Sequence, residues 1–461
     1  MKIFHYSPLP PLPNGIADYA ARVNQSLVNS VDLGIVTANP FSEVPAGCKT
    51  YDPSQLWRWL SSDDLMLYQI GNNKDHIEVL KCAVERPGVV VLHDLKLYYL
   101  HEIASIPWAY RRALVKASNR FLGKAHIERM EESGPKYELD YLLFDMLWDV
   151  LHRSLGIVVH SSYAKEYLVR NYGNEIADRI HIIPHFGFDP SPNDTNRVRA
   201  ELSLDPDVPI ILTSGFATKV KRFDWLIEAL SGLARRDYNF LWVHAGAERS
   251  SEYALSDAVA AHPEMRGKFF LTGYLDEEQL NNYIASAHVV VNLRFPSVGE
   301  SSGTLARALS EGRCSIVTDT AAYAEYPDDV VVKIPHHNAA FMLRKALTAL
   351  LDNPEARRAF GKNAEAFAAT RLSMESYVAK LTEVMRDTST RRPLRDRSLD
   401  KLIEDVPHEI ILGPFNPAEL NGTKLMAHIP KSFLTDHISY EMDDEKRVIA
   451  RVKGVDLERR T

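Results

Sequence analysis

The chain has 461 residues, 45% of them hydrophobic and 25% charged, with a formal net charge of -7 at pH 7. That length exceeds one ordinary hydrophobic core, so two or three globular domains are expected, and the negative balance argues against non-specific nucleic-acid binding. Three dispersed cysteines (Cys48, Cys82, Cys314) show no CxxC spacing, which fits a reducing compartment with neither a disulfide framework nor a zinc site.

The N-terminus, MKIFHYSPLPPLP, lacks a signal-peptide apolar core, and no run approaches a membrane span, so a cytoplasmic protein is expected. From there, short apolar runs rich in β-branched residues alternate with helical patterns. The first half offers strands at 2–6, 33–37, 65–70, 88–92 and 156–160. The second half offers 209–214, 239–245, 269–272, 288–293 and 314–319, with helices such as 224–236 and 277–287 between them. Strands that are apolar throughout and alternate with helices imply parallel sheets covered on both faces. The polar stretch 190–207 separates the two series, and the fold class is α/β with two doubly wound domains facing a cleft.

The residues after these strands are polar or glycine: Gly71, Asn72, Asn73 and His76; His93 and Asp94; Ser161 and Ser162; Gly215; Gly273. Any one such loop reads as ordinary. In open α/β sheets, however, ligands bind beyond the carboxyl ends of the strands, and the repetition across both halves points to a cleft site. No GxGxxG follows a strand and no GxxxxGK[ST] occurs, which removes the usual dinucleotide and P-loop readings. Asp205-Pro206-Asp207 reads as a turn, not a metal motif. No metal site is expected.

Anion-binding chemistry is concentrated in the second half. The loop 215–224 carries Lys219, Lys221 and Arg222 between a strand and a helix. The stretch FPSVGESSGTLARALSEG (295–312) places Ser301, Ser302 and Gly303 at a helix start, where backbone N–H groups and the helix dipole favour an anion. Glu300 stands immediately before them. Taken singly, the first is a solvated basic turn and the second an ordinary helix cap.

The ordered set SPLPPLPNGIADY (7–19), YQIGNNKDH (68–76), PGVVVLHD (87–94), VVHSSYAKEYL (158–168), IIPH (182–185), the lysine loop, LTGYL (271–275) and RFPSVGESSGTLARALSEG (294–312) resembles glycosyltransferase family 4. The resemblance covers roughly residues 1–387 and implies a GT-B fold, with two Rossmann-like domains and a short C-terminal extension. The domains expected are 1–190 on the acceptor side, 191–370 for the nucleotide sugar, a helix at 371–390 returning to the first domain, and an extension at 391–461. The resemblance further implies a metal-independent, retaining hexosyl transfer from a nucleotide sugar, with UDP- or GDP-sugar favoured, to a glycan or lipid-linked glycan in cell-envelope or exopolysaccharide biosynthesis. No other cofactor and no nucleic-acid partner are expected.

Residue by residue, the resemblance gives Lys221 the donor diphosphate, Glu300 the hydroxyls of the donor sugar, and Ser301, Ser302, Gly303 and Thr304 the phosphates. Gly215, Lys219 and Arg222 join the donor loop, and Tyr274 borders the base. His93 lies beside the sugar as a catalytic candidate. Asn14, Gly15, Asp18, Asn72, His76 and Asp94 are acceptor-side or cleft candidates, with a structural histidine as the alternative for His76. The chain departs from the family pattern twice. Arg307 falls where a second glutamate would hold the ribose, and Glu311 lies one helical turn further on, about 6 Å away. Phe216 stands where an arginine usually precedes the lysine. A non-catalytic GT-B module that binds sugar nucleotide or glycan and a GT-B nucleotide-sugar epimerase are the competing readings.

Arg112, Lys116, Arg120 and Lys124 recur every fourth residue in 108–130, forming one stripe of a helix. The stripe reads either as a solvated face or as a peripheral contact with anionic membrane lipid on the cytoplasmic side. Beyond the basic linker 389–398, the tail carries strand-like runs at 409–412, 424–429 and 447–452 and suggests no function.

Overall fold

The computed structural model describes residues 2–104, 106–118, 144–188, 195–248, 250 and 252–398, and the strands Glu409–Pro414, Ile438–Met442 and Arg447–Val452. The chain divides into two compact units. One joins Met1–Leu95 with Ser154–Arg392, and the other joins Lys96–Arg153 with Pro393–Thr461.

The larger unit contains two parallel sheets. The first is built from β1 (Ile3–Tyr6), β2 (Leu33–Val36), β3 (Lys49–Tyr51), β4 (Leu65–Ile70), β5 (Val89–Leu92), β6 (Gly156–Val159) and β7 (Ile180–Ile182), in the order β3-β2-β1-β4-β5-β6-β7. The second uses β8 (Ile210–Ser214), β9 (Leu241–Ala245), β10 (Phe269–Leu271), β11 (Val289–Asn292), β12 (Ser315–Thr318) and β13 (Val331–Ile334), in the order β10-β9-β8-β11-β12-β13. Both are doubly wound Rossmann-like sheets. Their order reverses between β1 and β4 in the first and between β8 and β11 in the second, and such switch points are where ligands bind.

Every residue of the central strands β1, β4, β8 and β11 is buried, which is why the sequence shows them as continuous apolar runs. The strands absent from the sequence reading, β3, β7 and β13, all lie at sheet edges and are partly exposed. A one-sided edge strand loses the apolar continuity by which its neighbours are recognised.

Helix Met374–Thr388 follows the second sheet in sequence but packs on the first. Ser373 caps it by accepting from the Ser376 N–H at 3.2 Å, and Tyr377, Val378, Leu381, Val384 and Met385 join the core of β1 and β4. Burying a leucine such as Leu381 contributes roughly 2 kcal/mol. Gly156 accommodates the helix end, since a Cβ there would lie 2.7 Å from Thr388 Cγ2.

In the smaller unit, Tyr98, Tyr110, Leu114, Val115, Phe144 and Met146 form a core. The tail strands β14 (Glu409–Pro414), β15 (Ile438–Met442) and β16 (Arg447–Val452) form an antiparallel sheet in the order β14-β16-β15. The expected run 424–429 lies outside the described residues. Arg112 and Lys116 fall on helix Trp108–Ser118, whereas Arg120 and Lys124 lie outside the described residues.

Candidate active site

At the second switch point β8 and β11 pair directly, and each runs out into a loop at its carboxyl end. Gly215 follows β8 with φ +78°, a conformation costly for any residue with a Cβ. A Cβ on Gly246, at the end of neighbouring β9, would lie 2.3 Å from the Gly215 carbonyl oxygen, so this close approach of two strand ends needs glycine. A short turn, Lys219–Lys221, then brings the Lys221 ammonium back to donate to the Ser214 carbonyl at 2.6 Å. Burial drives the Lys221 pKa well below its ordinary value; Arg294 pushes it the same way, and Glu252 opposes both.

After β11 comes Arg294, whose side chain is 13% exposed and whose Nε lies 3.6 Å from Glu300 Oε1. The other Glu300 oxygen accepts from the Val298 N–H at 2.9 Å and the Ser297 hydroxyl at 3.1 Å. The loop therefore holds the carboxylate by one oxygen. Helix Gly303–Ser310 starts immediately beyond. Ser302 is its N-cap, accepting from the Leu305 N–H at 3.2 Å and donating to Asn292 Oδ1 at 3.1 Å. Among the described residues no acceptor meets the N–H groups of Gly303 and Thr304, so the first turn presents them outward with the positive end of the helix dipole.

Arg307, one turn along, is 6% exposed. Its Nη1 donates to Glu277 Oε1 and to Asn281 Oδ1, both at 2.9 Å, and its Cζ sits 3.4 Å from the centroid of the Phe188 ring. Arg22, from helix Gly15–Leu27 on the first sheet, also pairs with Glu277. Burial alone would raise the Glu277 carboxyl, but Arg307 and Arg22 together hold it below its ordinary value. The arginine at the expected ribose position is thus held over an aromatic ring, with a carboxylate bridging it to Arg22 on the helix of the first sheet.

The first sheet meets this wall with neutral groups. Gln69, fully buried on β4, lies between two histidines: its Nε2 is 3.0 Å from His5 Nε2 and its Oε1 is 2.8 Å from His93 Nε2. His93 Nδ1 is 3.3 Å from His160 Nε2, and His160 Nδ1 donates to the Ile183 carbonyl at 2.9 Å. Gln69 thus engages one ring nitrogen of His93, and the other lies beside His160. Burial is the main force lowering the pKa of His5 and His160 to about 4, and that of His93 well below its usual value. Asp94 accepts from the Asn72 N–H at 2.7 Å. Burial raises the Asp94 carboxyl to about 6, with the Asn72 amide opposing the rise and Glu300 adding to it.

Between these walls lies a cleft of about 370 Å³. It is lined by thirteen of the expected residues: Asn14, Gly15, Asp18, His93, Asp94, Gly215, Lys221, Glu300, Ser301, Ser302, Gly303, Thr304 and Arg307. Asn14 caps its helix through the Ile16 N–H at 2.9 Å and donates to Asp75 Oδ2 at 3.0 Å, while a Cβ on Gly15 would touch nothing within 4 Å. Burial raises the Asp18 pKa.

Five expected residues are not in this lining. His76 is a buried structural histidine, its Nδ1 donating to the Gln69 carbonyl at 3.0 Å beneath the strand end. Arg222 turns away to pair with Asp224 and to cover the Trp225 ring at 4.0 Å. Lys219 is exposed, Tyr274 is 62% exposed, and Asn72 contributes its backbone amide to Asp94.

The sequence reading did not single out Arg294, His185, Tyr19 or Phe188 in the lining. His185 donates from Nδ1 to the Phe186 carbonyl at 2.7 Å, and a Cβ on Gly303 would sit 3.4 Å from its Nε2, so a bare acceptor nitrogen faces the helix start. Burial, reinforced by His160, lowers its pKa to about 3. The clue to Arg294 was its position just past a strand flanking the switch point. A larger cavity of about 580 Å³ lies at the amino ends of β11 and β12, the end of a parallel sheet that does not form such sites.

The chain is similar to known glycosyltransferases. Residues 194–367, the second-sheet half, match the family model described as glycosyl transferases group 1. A D-inositol 3-phosphate glycosyltransferase of Xylanimonas cellulosilytica is 27% identical over 259 residues, 53% of this chain and 60% of that relative. An alpha-D-kanosaminyltransferase of Streptomyces kanamyceticus is 26% identical over 219 residues, 46% of this chain and 55% of that relative. The chain spans a little over half the length of these curated relatives. Among solved structures, Anabaena HepE in complex with UDP and glucose aligns over 84% of this chain and 100% of its own, with TM-score 0.58 and 14% identity. Sucrose-phosphate synthase from Thermosynechococcus elongatus aligns over 84% of this chain and 98% of its own, with TM-score 0.59 and 17% identity. The fold is GT-B.

Proposed function

We propose that the chain is a glycosyltransferase that moves a hexosyl group from a nucleotide sugar to a hydroxyl of a glycan or lipid-linked glycan. The observation that carries this reading is the set of groups brought into one cleft. Lys221 and the open amides of Gly303 and Thr304 line it together with Glu300, Asp94 and His93. A sugar diphosphate needs this arrangement, with cations and N–H dipoles for the phosphates and carboxylates for the sugar hydroxyls.

Breaking the sugar–phosphate bond builds negative charge on the diphosphate and positive charge at the anomeric carbon. Fixed positive groups at the leaving oxygens attract that transition state more strongly than the ground state. Neutralisation by protein groups makes a metal ion dispensable in this reading. For retention, the acceptor oxygen bonds to the anomeric carbon on the face the diphosphate leaves, and the departing phosphate oxygen takes the acceptor proton. The names of the two curated relatives support glycosyl transfer, and the HepE complex supports a uridine nucleotide with glucose as the first donor to try.

The test is a panel of UDP-, GDP-, ADP- and dTDP-sugars incubated with and without glycan acceptors. Acceptor-dependent nucleotide release supports transfer, and EDTA should leave the rate unchanged. Donor binding with no release under any acceptor would favour a binding module, a reading that the clamped Arg307 makes worth testing.

A further inference from the structure

We propose that Arg294 is a second cationic ligand of the donor diphosphate, acting beside Lys221. This rests on the reading of the cleft as a nucleotide-sugar site. The backbone delivers the two side chains together. They follow β8 and β11, the strands on either side of the switch point, and their loops are fastened where the Phe295 N–H donates to the Val220 carbonyl at 2.8 Å. The Arg294 N–H donates to the Thr318 hydroxyl oxygen at 3.1 Å, and the Phe295 ring stacks on His336 at 4.9 Å. With Phe295 committed to that packing, the preceding side chain enters the cleft, where Arg294 is part of the lining.

Lys221 and Arg294 stand close enough for one cation to work against the other, and Glu300 and Asp94 are similarly close acids. Among the described residues the only carboxylate oxygen paired with the Arg294 side chain is Glu300 Oε1, at 3.6 Å, longer than a hydrogen bond, and Nη1 is spent on the Leu293 carbonyl at 2.8 Å. Like charges held together out of water cost free energy unless a counter-charge completes them. A diphosphate carries that charge on oxygens spaced for two ligands, and a guanidinium can meet two of them at once. Lys219 and Arg222, the other basic residues of the donor loop, are turned to solvent or to Asp224.

The experiment is calorimetric titration of UDP, GDP, ADP, dTDP, their monophosphates and inorganic diphosphate into the wild-type chain and the variants Arg294→Gln and Arg294→Lys. Loss of a charge-assisted contact should weaken the better nucleoside diphosphate about 10- to 100-fold while its monophosphate changes less than about threefold. Arg294→Lys should lie between, keeping the charge but not the fork. If Arg294→Gln binds the diphosphate as well as wild type and loses only turnover, Arg294 merely positions Glu300 and the proposal is overturned. Should Arg294→Gln not fold, an unchanged diphosphate affinity in Arg294→Lys overturns it equally. A wild-type chain that binds none of these probes brings down the nucleotide-sugar reading itself. Arg294 alone fails when wild type binds and the variants match it.

Discussion

The two switch points share a topology and differ in chemistry. On the first sheet, the strand ends converge on a neutral network in which Gln69 joins His5 to His93 and His160, with the acids Asp94 and Asp18 lining the cleft beside it. On the second, they converge on Lys221, Arg294, Glu300 and the Arg307–Glu277 pair. One backbone plan thus supplies a face of uncharged polar groups suited to hydroxyls and a face of fixed charge suited to phosphate. In this pair the residues at the strand ends, and not the fold, set the chemistry that each face offers.

The largest expected effect breaks the neutral side with acid. Burial holds His5, His76, His93, His160 and His185 below the ordinary histidine pKa, so the unfolded chain binds more protons than the native one below about pH 6.5. Stability is therefore full above that pH and should fall by several kcal/mol per pH unit, to order of magnitude, as pH drops toward 5. Urea melts at pH 7.5, 6.5 and 5.5 measure the slope, and a flat profile would show that the histidines are not held neutral.

The charged side breaks at Glu300. Glu300→Gln should lower turnover at least about 100-fold while leaving the melting temperature within about 3 °C of wild type. Full activity in that variant would remove the centre of the proposed site. Next comes Gln69→Leu, which leaves buried nitrogens of His5 and His93 without a partner and should cost about 2–3 kcal/mol in a denaturant melt. A neutral result would mean that the network relaxes around the gap.

Asp94→Asn should do the opposite. The Asp94 carboxyl titrates near 6 when folded and near 4 when unfolded, so native Asp94 binds the proton more tightly, and the wild type pays for its ionised form as pH rises through that window. The variant, which can still accept from the Asn72 amide, should be up to about 3 kcal/mol more stable than wild type at pH 7.5, with the gain gone by pH 4. A gain independent of pH would point to packing instead of charge. The smallest effect is expected at Lys219→Ala and Arg222→Ala, whose side chains lie outside the cleft, with nucleoside diphosphate affinity within about twofold of wild type. A tenfold loss in either would move the donor loop into the site.

Much of this architecture could be read along the chain because burial on both faces writes itself as uninterrupted runs such as VVVL at 89–92 and IILTS at 210–214. The edge strands β3, β7 and β13 escaped because half-exposed residues carry no such run. The grouping of Lys96–Arg153 with the C-terminal residues has no local signature either, since it depends on contacts distant in sequence. At the site, Glu300, Ser302 and Gly303 could be read together because a helix start and its preceding loop are contiguous. His76 was a cleft candidate by its place after β4, yet it points inward to the Gln69 carbonyl.

The sequence by itself determined the two α/β halves, the helix start that offers free amides, and the identity of the acid and the lysine beside it. The first two follow from periodicity and from local backbone chemistry, and the acid and the lysine from the resemblance to glycosyltransferase family 4. Only the tertiary structure decided which bases share the cleft. Lys221 and Arg294 lie 73 positions apart and meet because β8 and β11 are neighbours in the sheet, whereas Arg222, next to Lys221 in sequence, is carried away by a left-handed backbone turn at φ +52° and an acid two residues on. Proximity in sequence fixes what a loop contains, and the order of strands in the sheet fixes what it faces.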